Sequence, residues 1–247
     1  MSLRGTPQLE KVAVCIGMPR AGTTWLYQNL KNHPSISVTK NKETLHYLHS
    51  KDPVKLFSYF VDPSQDFLID INPSYFFDIE AIRTIGTNHS KVILIERDIP
   101  EWKDSIIDQS NRFGTRENLE SMTFPFSRGD GREIILDLES YNHSSHMGSI
   151  EKTLKDKLKV MSFSDLQKDP VSFLNSIERF LGAPIFFTEH NVEISRINSR
   201  NHRIPKFLTF LYRTGLLKPA GRFAKILLPS TIYNFLIERY WYGRTED

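Results

Sequence analysis

The sequence has a single cysteine, Cys15, so no disulfide can form within the chain. That excludes the disulfide-stapled class of small secreted scaffolds. Cys15 lies inside an apolar run and reads as a small buried side chain. Long hydrophobic runs are missing too. No stretch approaches the ~20 apolar residues of a membrane span, and residues 1–10 are polar, without the apolar centre of a signal peptide. Metal-ligand spacings are also lacking: His46 and His49 stand close, but neither H-E-x-x-H nor C-x-x-C accompanies them, so no metal is expected. The net charge of +3 argues only weakly for an anionic partner, and no nucleic-acid partner is expected. Acidic residues vanish between Glu193 and Glu238, a stretch that carries Arg196, Arg200, Arg203, Lys206, Arg213, Lys218, Arg222 and Lys225. Its later half reads as a solvated face.

The 247 residues suffice for one α/β domain with a substantial core. Short apolar runs read as buried strands at 11–17 (KVAVCIG), 35–39, 66–71 (DFLIDI), 91–96 (KVILIE) and 158–163 (LKVMSF). Helical patterns fall between them at 23–31, 78–85, 100–110 and 149–157. A further helix opens at Asp169-Pro170 and ends at Gly182, residues suited to a cap, a first turn and a C-terminal stop. Strands alternating with helices predict a three-layer α/β fold, a central parallel sheet flanked by helices. Residues 111–140, with Gly114, Pro125, Gly129 and Gly131, read as a long loop or lid. One domain is expected over 1–247, with a core over about 11–204 and a basic helical C-terminal extension over about 205–247.

The strongest local signal is Gly17-Met18-Pro19-Arg20-Ala21-Gly22-Thr23-Thr24-Trp25, between a buried strand and a helix. N–H groups at a helix start lack intrahelical partners, and the helix dipole adds positive charge, so a phosphate is bound without rearrangement. Gly22 lets the backbone approach the anion, Thr23 and Thr24 add hydroxyls, and Arg20 adds charge. Gly17 and Gly22 have the spacing of a nucleoside-triphosphate loop, but Thr23 stands where that loop needs lysine, which argues against ATP or GTP. A P-loop kinase, or a binding module without catalysis, remains the alternative.

At these residues the chain resembles the sulfotransferases that use 3′-phosphoadenosine-5′-phosphosulfate. Their 5′-phosphosulfate loop reads approximately P-K-S/G-G-T-T/R-x-L. Pro19, Arg20, Ala21, Gly22, Thr23, Thr24 and Leu26 fit it, with arginine replacing lysine, and Trp25 falls within it. The resemblance implies that Arg20 stabilises charge on the leaving group; arginine does not give up a proton. The family's second signature, a strand-end arginine with a serine eight residues on, implies that Arg97 and Ser105 hold the 3′-phosphate. Trp102 replaces that signature's inner arginine. A basic C-terminal loop implies Arg200 and Arg203 at the nucleotide.

Lys42-Glu43-Thr44-Leu45-His46-Tyr47 resembles the K-E-x-H-[FY]-F segment of carbohydrate-type members, which implies Glu43 as general base; one extra residue precedes His46, the alternative base. The segment from Asp70 to Phe76 resembles E-K-T-P-x-Y-F, with Ile71 in place of the lysine, and implies Asp70 and Tyr75 near the acceptor. The resemblance runs from about Val12 to about Arg203. The reaction it implies is sulfuryl transfer to a hydroxyl or amine of a small-molecule, lipid or carbohydrate acceptor. 3′-Phosphoadenosine-5′-phosphate is the product, and no metal takes part. The expected location is the cytoplasm, or that of a soluble catalytic domain excised from an anchored protein.

Overall fold

The computed structural model describes residues 9–113, 121–127, 133–138 and 140–193. The chain divides into two compact units, one of residues 1–102 with 123–194, the other of 103–122 with 195–247. The 205–247 extension lies outside the described residues, as do Arg200 and Arg203.

Among the described residues, seven strands and seven α-helices follow in order: β1 Val12–Cys15, α1 Thr23–Leu30, β2 Ile36–Val38, α2 His46–His49, β3 Phe67–Ile71, α3 Ile79–Asn88, β4 Lys91–Glu96, α4 Ile99–Phe113, β5 Ser121–Ser127, β6 Glu133–Asp137, α5 His143–Leu154, β7 Leu158–Ser162, α6 Phe163–Lys168 and α7 Pro170–Leu181. Five strands form one sheet in the order β2-β3-β1-β4-β7, and every pairing in it is parallel. The central strands are buried on both faces, which is why their sequences are unbroken apolar runs; β1 and Val92 to Ile95 of β4 are at most 1 % exposed. The chain leaves β1 for β2 on one side and later returns to β4 on the other. The carboxyl ends of β1 and β4 therefore lie at a switch point, where open α/β sheets bind ligands.

The helix ends follow their residues. Asn72 caps a 3-10 turn over Pro73–Phe77, and Asp78 caps α3 by accepting from the N–H groups of Glu80 and Ala81 at 2.9 and 3.0 Å. Asp169 caps α7, and Gly182 stops it in the left-handed region at φ 79°. Two expectations are corrected. Residues 111–140 hold β5 and β6, a two-stranded sheet, rather than loop alone. Helix α5 begins at His143, well before 149, because Asn142 caps it through the N–H of Ser145 at 3.0 Å.

Candidate active site

The Gly17 turn is built by continuing the β1–β4 ladder beyond the strand. Ile16 N–H donates to the Ile93 carbonyl at 2.8 Å and Met18 N–H to that of Ile95 at 3.0 Å. A Cβ on Gly17 would lie 3.0 Å from the Ile95 nitrogen, so glycine permits this close strand contact. Two left-handed residues then turn the chain into α1: Arg20 at φ 64° and Gly22 at φ 82°. The first helical bond runs from Leu26 N–H to the Gly22 carbonyl at 3.0 Å, and no side chain caps the helix. The N–H groups of Thr23, Thr24 and Trp25 thus open the helix without intrahelical acceptors. That is the donor array a phosphate needs.

Three contacts fix the turn. Trp102 Nε1 donates to the Pro19 carbonyl at 3.0 Å, and Arg97 Nη1 to that of Arg20 at 2.9 Å. Leu166 and Phe163 of α6 close over Gly22, where a Cβ would stand 2.5 Å from Leu166 Cδ2. A left-handed arginine costs about 1–2 kcal/mol of backbone strain; the guanidinium on its carbonyl helps hold it there.

Arg97 follows β4 directly and borders a cleft of about 390 Å³ at the carboxyl ends of β4 and β7, lined among others by Glu96, Asp98, Ser162, Phe163 and Gln167. Its guanidinium stacks 4.8 Å from the centroid of the Phe163 ring and lies 3.5 Å from Glu101. Its Nε is buried with no acceptor among the described residues, an orphan donor beside the cleft that suits an anion. Glu96 is occupied by His143, whose Nε2 meets its carboxylate. Ser105 is buried on α4.

On the other side of β1, residues 42–45 lie on the end of β3. Glu43 N–H donates to the Ile71 carbonyl at 3.3 Å. Ile71 is in register with Cys15 of β1, two residues before the Gly17 turn. Glu43 and Leu45 are both left-handed, at φ 66° and 56°. Lys42, with its side chain only 6 % exposed, pairs with the Glu43 carboxylate, which is 41 % exposed. Below them Asp70 is wholly buried and accepts from the Tyr75 hydroxyl at 2.9 Å. Thr44 Oγ1 lies 3.3 Å from both carboxylate oxygens of Asp70. Burial pushes the Asp70 carboxyl up to about 6, against the opposing pull of the Tyr75 and Thr44 hydrogen bonds. Burial likewise pushes the Cys15 thiol up to about 12, so it is an inert core group.

The structure brings Arg20, Ala21, Gly22, Thr23, Thr24 and Arg97 into one turn and its flank. The Trp25 side chain is engaged elsewhere. Its Nε1 donates to the Glu193 carbonyl at 2.5 Å, and Asn29 Oδ1 accepts from Glu193 N–H at 2.8 Å. His46 is buried, its Nε2 bonded to the Asp52 carbonyl at 2.8 Å, its ring packed against Tyr47 and Tyr59. Burial lowers its proton affinity. Asp70 and Tyr75 are each 0 % exposed, so they offer no surface to an acceptor. Sequence reasoning missed Trp102, Phe163, Leu166 and Thr44 as supports of the site. The displacement of the inner arginine by Trp102 was the one available signal, since an indole N–H buried beside a strand end needs an acceptor.

The family model for the sulfotransferase domain matches residues 10–201. Among solved structures, a sulfotransferase from Alicyclobacillus acidocaldarius superimposes with TM-score 0.57 at 15% identity, over 91% of this chain and 98% of its own. A mouse sulfotransferase complexed with PAP gives TM-score 0.45 at 18% identity, over 74% of this chain and 61% of its own. The sulfotransferase domain of a Synechococcus olefin synthase gives TM-score 0.47 at 16% identity, over 84% and 85%. No curated protein is similar enough in sequence to count as a relative.

Proposed function

We propose, since this chain belongs to the sulfotransferase family, that it moves a sulfuryl group from 3′-phosphoadenosine-5′-phosphosulfate to a hydroxyl or amine of a small-molecule, lipid or carbohydrate acceptor. The observation that carries the reading is the uncapped start of α1, flanked by Arg20 and by an Arg97 whose Nε lacks an acceptor among the described residues. Together they offer a cation and directed donors to an anion carrying phosphates at both ends.

In this reading the N–H groups of Thr23, Thr24 and Trp25 and the Arg20 guanidinium hold the 5′-phosphate and the negative charge that grows on it. Arg97 and Ser105 hold the 3′-phosphate, and Arg200 and Arg203 serve the nucleotide from the basic stretch. Glu43 takes the acceptor's proton as the acceptor oxygen or nitrogen bonds to sulfur and the bond from sulfur to the 5′-phosphate oxygen breaks. Arg20 neutralises the departing phosphate without transferring a proton. His46, held by the Asp52 carbonyl, supports the fold of this segment rather than acting as the base. Asp70 and Tyr75 act from beneath Glu43 rather than on the acceptor. No step calls for a metal.

Thermal unfolding with 3′-phosphoadenosine-5′-phosphate against ATP plus magnesium tests the nucleotide. A ligand at a hundredfold excess over Kd adds ~2.7 kcal/mol of apparent stability. The bisphosphate should give the larger shift, and Arg97→Ala should lose most of it; a larger response to ATP would overturn the reading. A radiolabelled donor offered to glycans, lipids, phenols and peptides identifies the acceptor. With that acceptor, Glu43→Gln should lower turnover ~10²–10⁴-fold and leave nucleotide binding intact.

A further inference from the structure

We infer that Asp70, acting through the Thr44 hydroxyl, is the positioning residue that fixes the backbone from which Glu43 projects. The inference rests on Glu43 as the base and adds a requirement to it. A carboxylate acts as a general base only if its oxygen stands within hydrogen-bond reach of the acceptor's proton. Glu43 sits on unfavourable backbone: it and Leu45 are both left-handed, and neither is glycine or asparagine. Such a segment keeps its shape only where the surroundings over-determine it.

The surroundings here are two bonds to the β3 end and one within the segment. Glu43 N–H reaches the Ile71 carbonyl at 3.3 Å. Thr44, between the two left-handed residues, directs Oγ1 at both Asp70 oxygens at 3.3 Å. The same oxygen accepts from His46 N–H at 3.2 Å, which starts α2. Asp70 is itself held by the Tyr75 hydroxyl at 2.9 Å, and Tyr75 Oη lies 3.3 Å from Thr44 Oγ1. A buried carboxylate on the sheet, a buried phenol and one hydroxyl thus form a closed triangle beneath the turn. Asp70 is 0 % exposed and meets the segment at Thr44, so its part is exerted through that hydroxyl. Lys42 pairs with Glu43 from the preceding residue, while the triangle sets where that side chain begins.

The test is Thr44→Val, which keeps shape and removes the hydroxyl, with Thr44→Ser as the variant that restores it. Turnover is read with radiolabelled 3′-phosphoadenosine-5′-phosphosulfate and the acceptor found by the panel. Binding of 3′-phosphoadenosine-5′-phosphate is read by calorimetry. Misplacing a reacting group by about an ångström costs on the order of 10²-fold. Thr44→Val should therefore lower kcat roughly ten- to hundredfold while the KM for donor and the bisphosphate affinity stay put, and Thr44→Ser should recover most of the loss. Amide-to-Hα couplings of Glu43 and Leu45 should leave their positive-φ values in the valine variant and keep them in the serine variant. In a Glu43→Gln background, Thr44→Val should add nothing. Asp70→Leu, close in shape but without an acceptor and shown folded by circular dichroism, should reproduce the valine variant. Wild-type kcat in Thr44→Val, or an equal loss in both backgrounds, overturns the inference and leaves Glu43 as base. Full turnover in Asp70→Leu overturns the part given to Asp70. Full turnover in Glu43→Gln alone defeats the base assignment instead.

Discussion

Gly22 and Gly182 share a backbone state, at φ 82° and 79°, but not their surroundings. A Cβ on Gly182 would meet nothing nearer than 3.7 Å, so Gly182→Ala should cost only the conformational term, about 1 kcal/mol. A Cβ on Gly22 would stand 2.5 Å from Leu166, so Gly22→Ala adds overpacking of ~1–3 kcal/mol and displaces the donor N–H groups. Urea denaturation should separate the two variants, and calorimetry should find bisphosphate binding lost in Gly22→Ala alone. The need for glycine at both positions was legible in the sequence, one opening a helix and one closing it. The left-handed Arg20, Glu43 and Leu45 were not. Their residue types carry no sign of positive φ, and what stabilises Arg20 and the Glu43 turn is distant in sequence: Arg97 on the Arg20 carbonyl, and Asp70 on Thr44.

Among the elements, the buried strands were the easiest to read, because parallel strands covered on both faces must be continuous apolar runs. β4 occupies the residues expected of it, and β1, β3 and β7 differ only at their ends. Helices announced by a cap and a proline were equally clear, as α7 shows. Helix α5 was misread because its first turn, His143 to His146, is polar and its cap, Asn142, is also a common loop residue. The β5–β6 ribbon was hidden by the proline and glycines around it. Caps carry weight of their own. Asp78 is buried and serves two N–H groups, so Asp78→Ala should cost about 1–2 kcal/mol in urea denaturation, and Asp78→Asn distinctly less, since an amide oxygen still accepts.

For the molecule as a whole, burial lowers the proton affinity of His33, His46, His89 and His146, and takes His89 from the usual 6.5 to about 4. The unfolded chain then binds more protons than the folded one, so their contribution is complete above 6.5 and is lost as pH falls toward about 4. Asp70 acts oppositely: raised from 3.8 to about 6, it contributes stability below 3.8 that is lost as pH rises through about 6. Four histidines outweigh one carboxyl, so the urea midpoint should fall on acidification across this window. Relative to wild type, Asp70→Asn should gain stability as pH rises through the same range. A flat wild-type midpoint would contradict the histidine sign, and a pH-independent difference between wild type and Asp70→Asn would contradict the carboxyl's. The parallel-sheet architecture was legible from alternation alone, whereas this titration was not, because it depends on which histidines the packing encloses. Finally, the turn from β7 into α6 carries Phe163 and Leu166 against Gly22 through apolar contact alone. A larger or shifted side chain there would press on the glycine as surely as a mutation of the glycine itself. Any effort to redirect this protein toward new acceptors should leave that apolar corner alone, since its shape is written into the cradle it never touches with a charge.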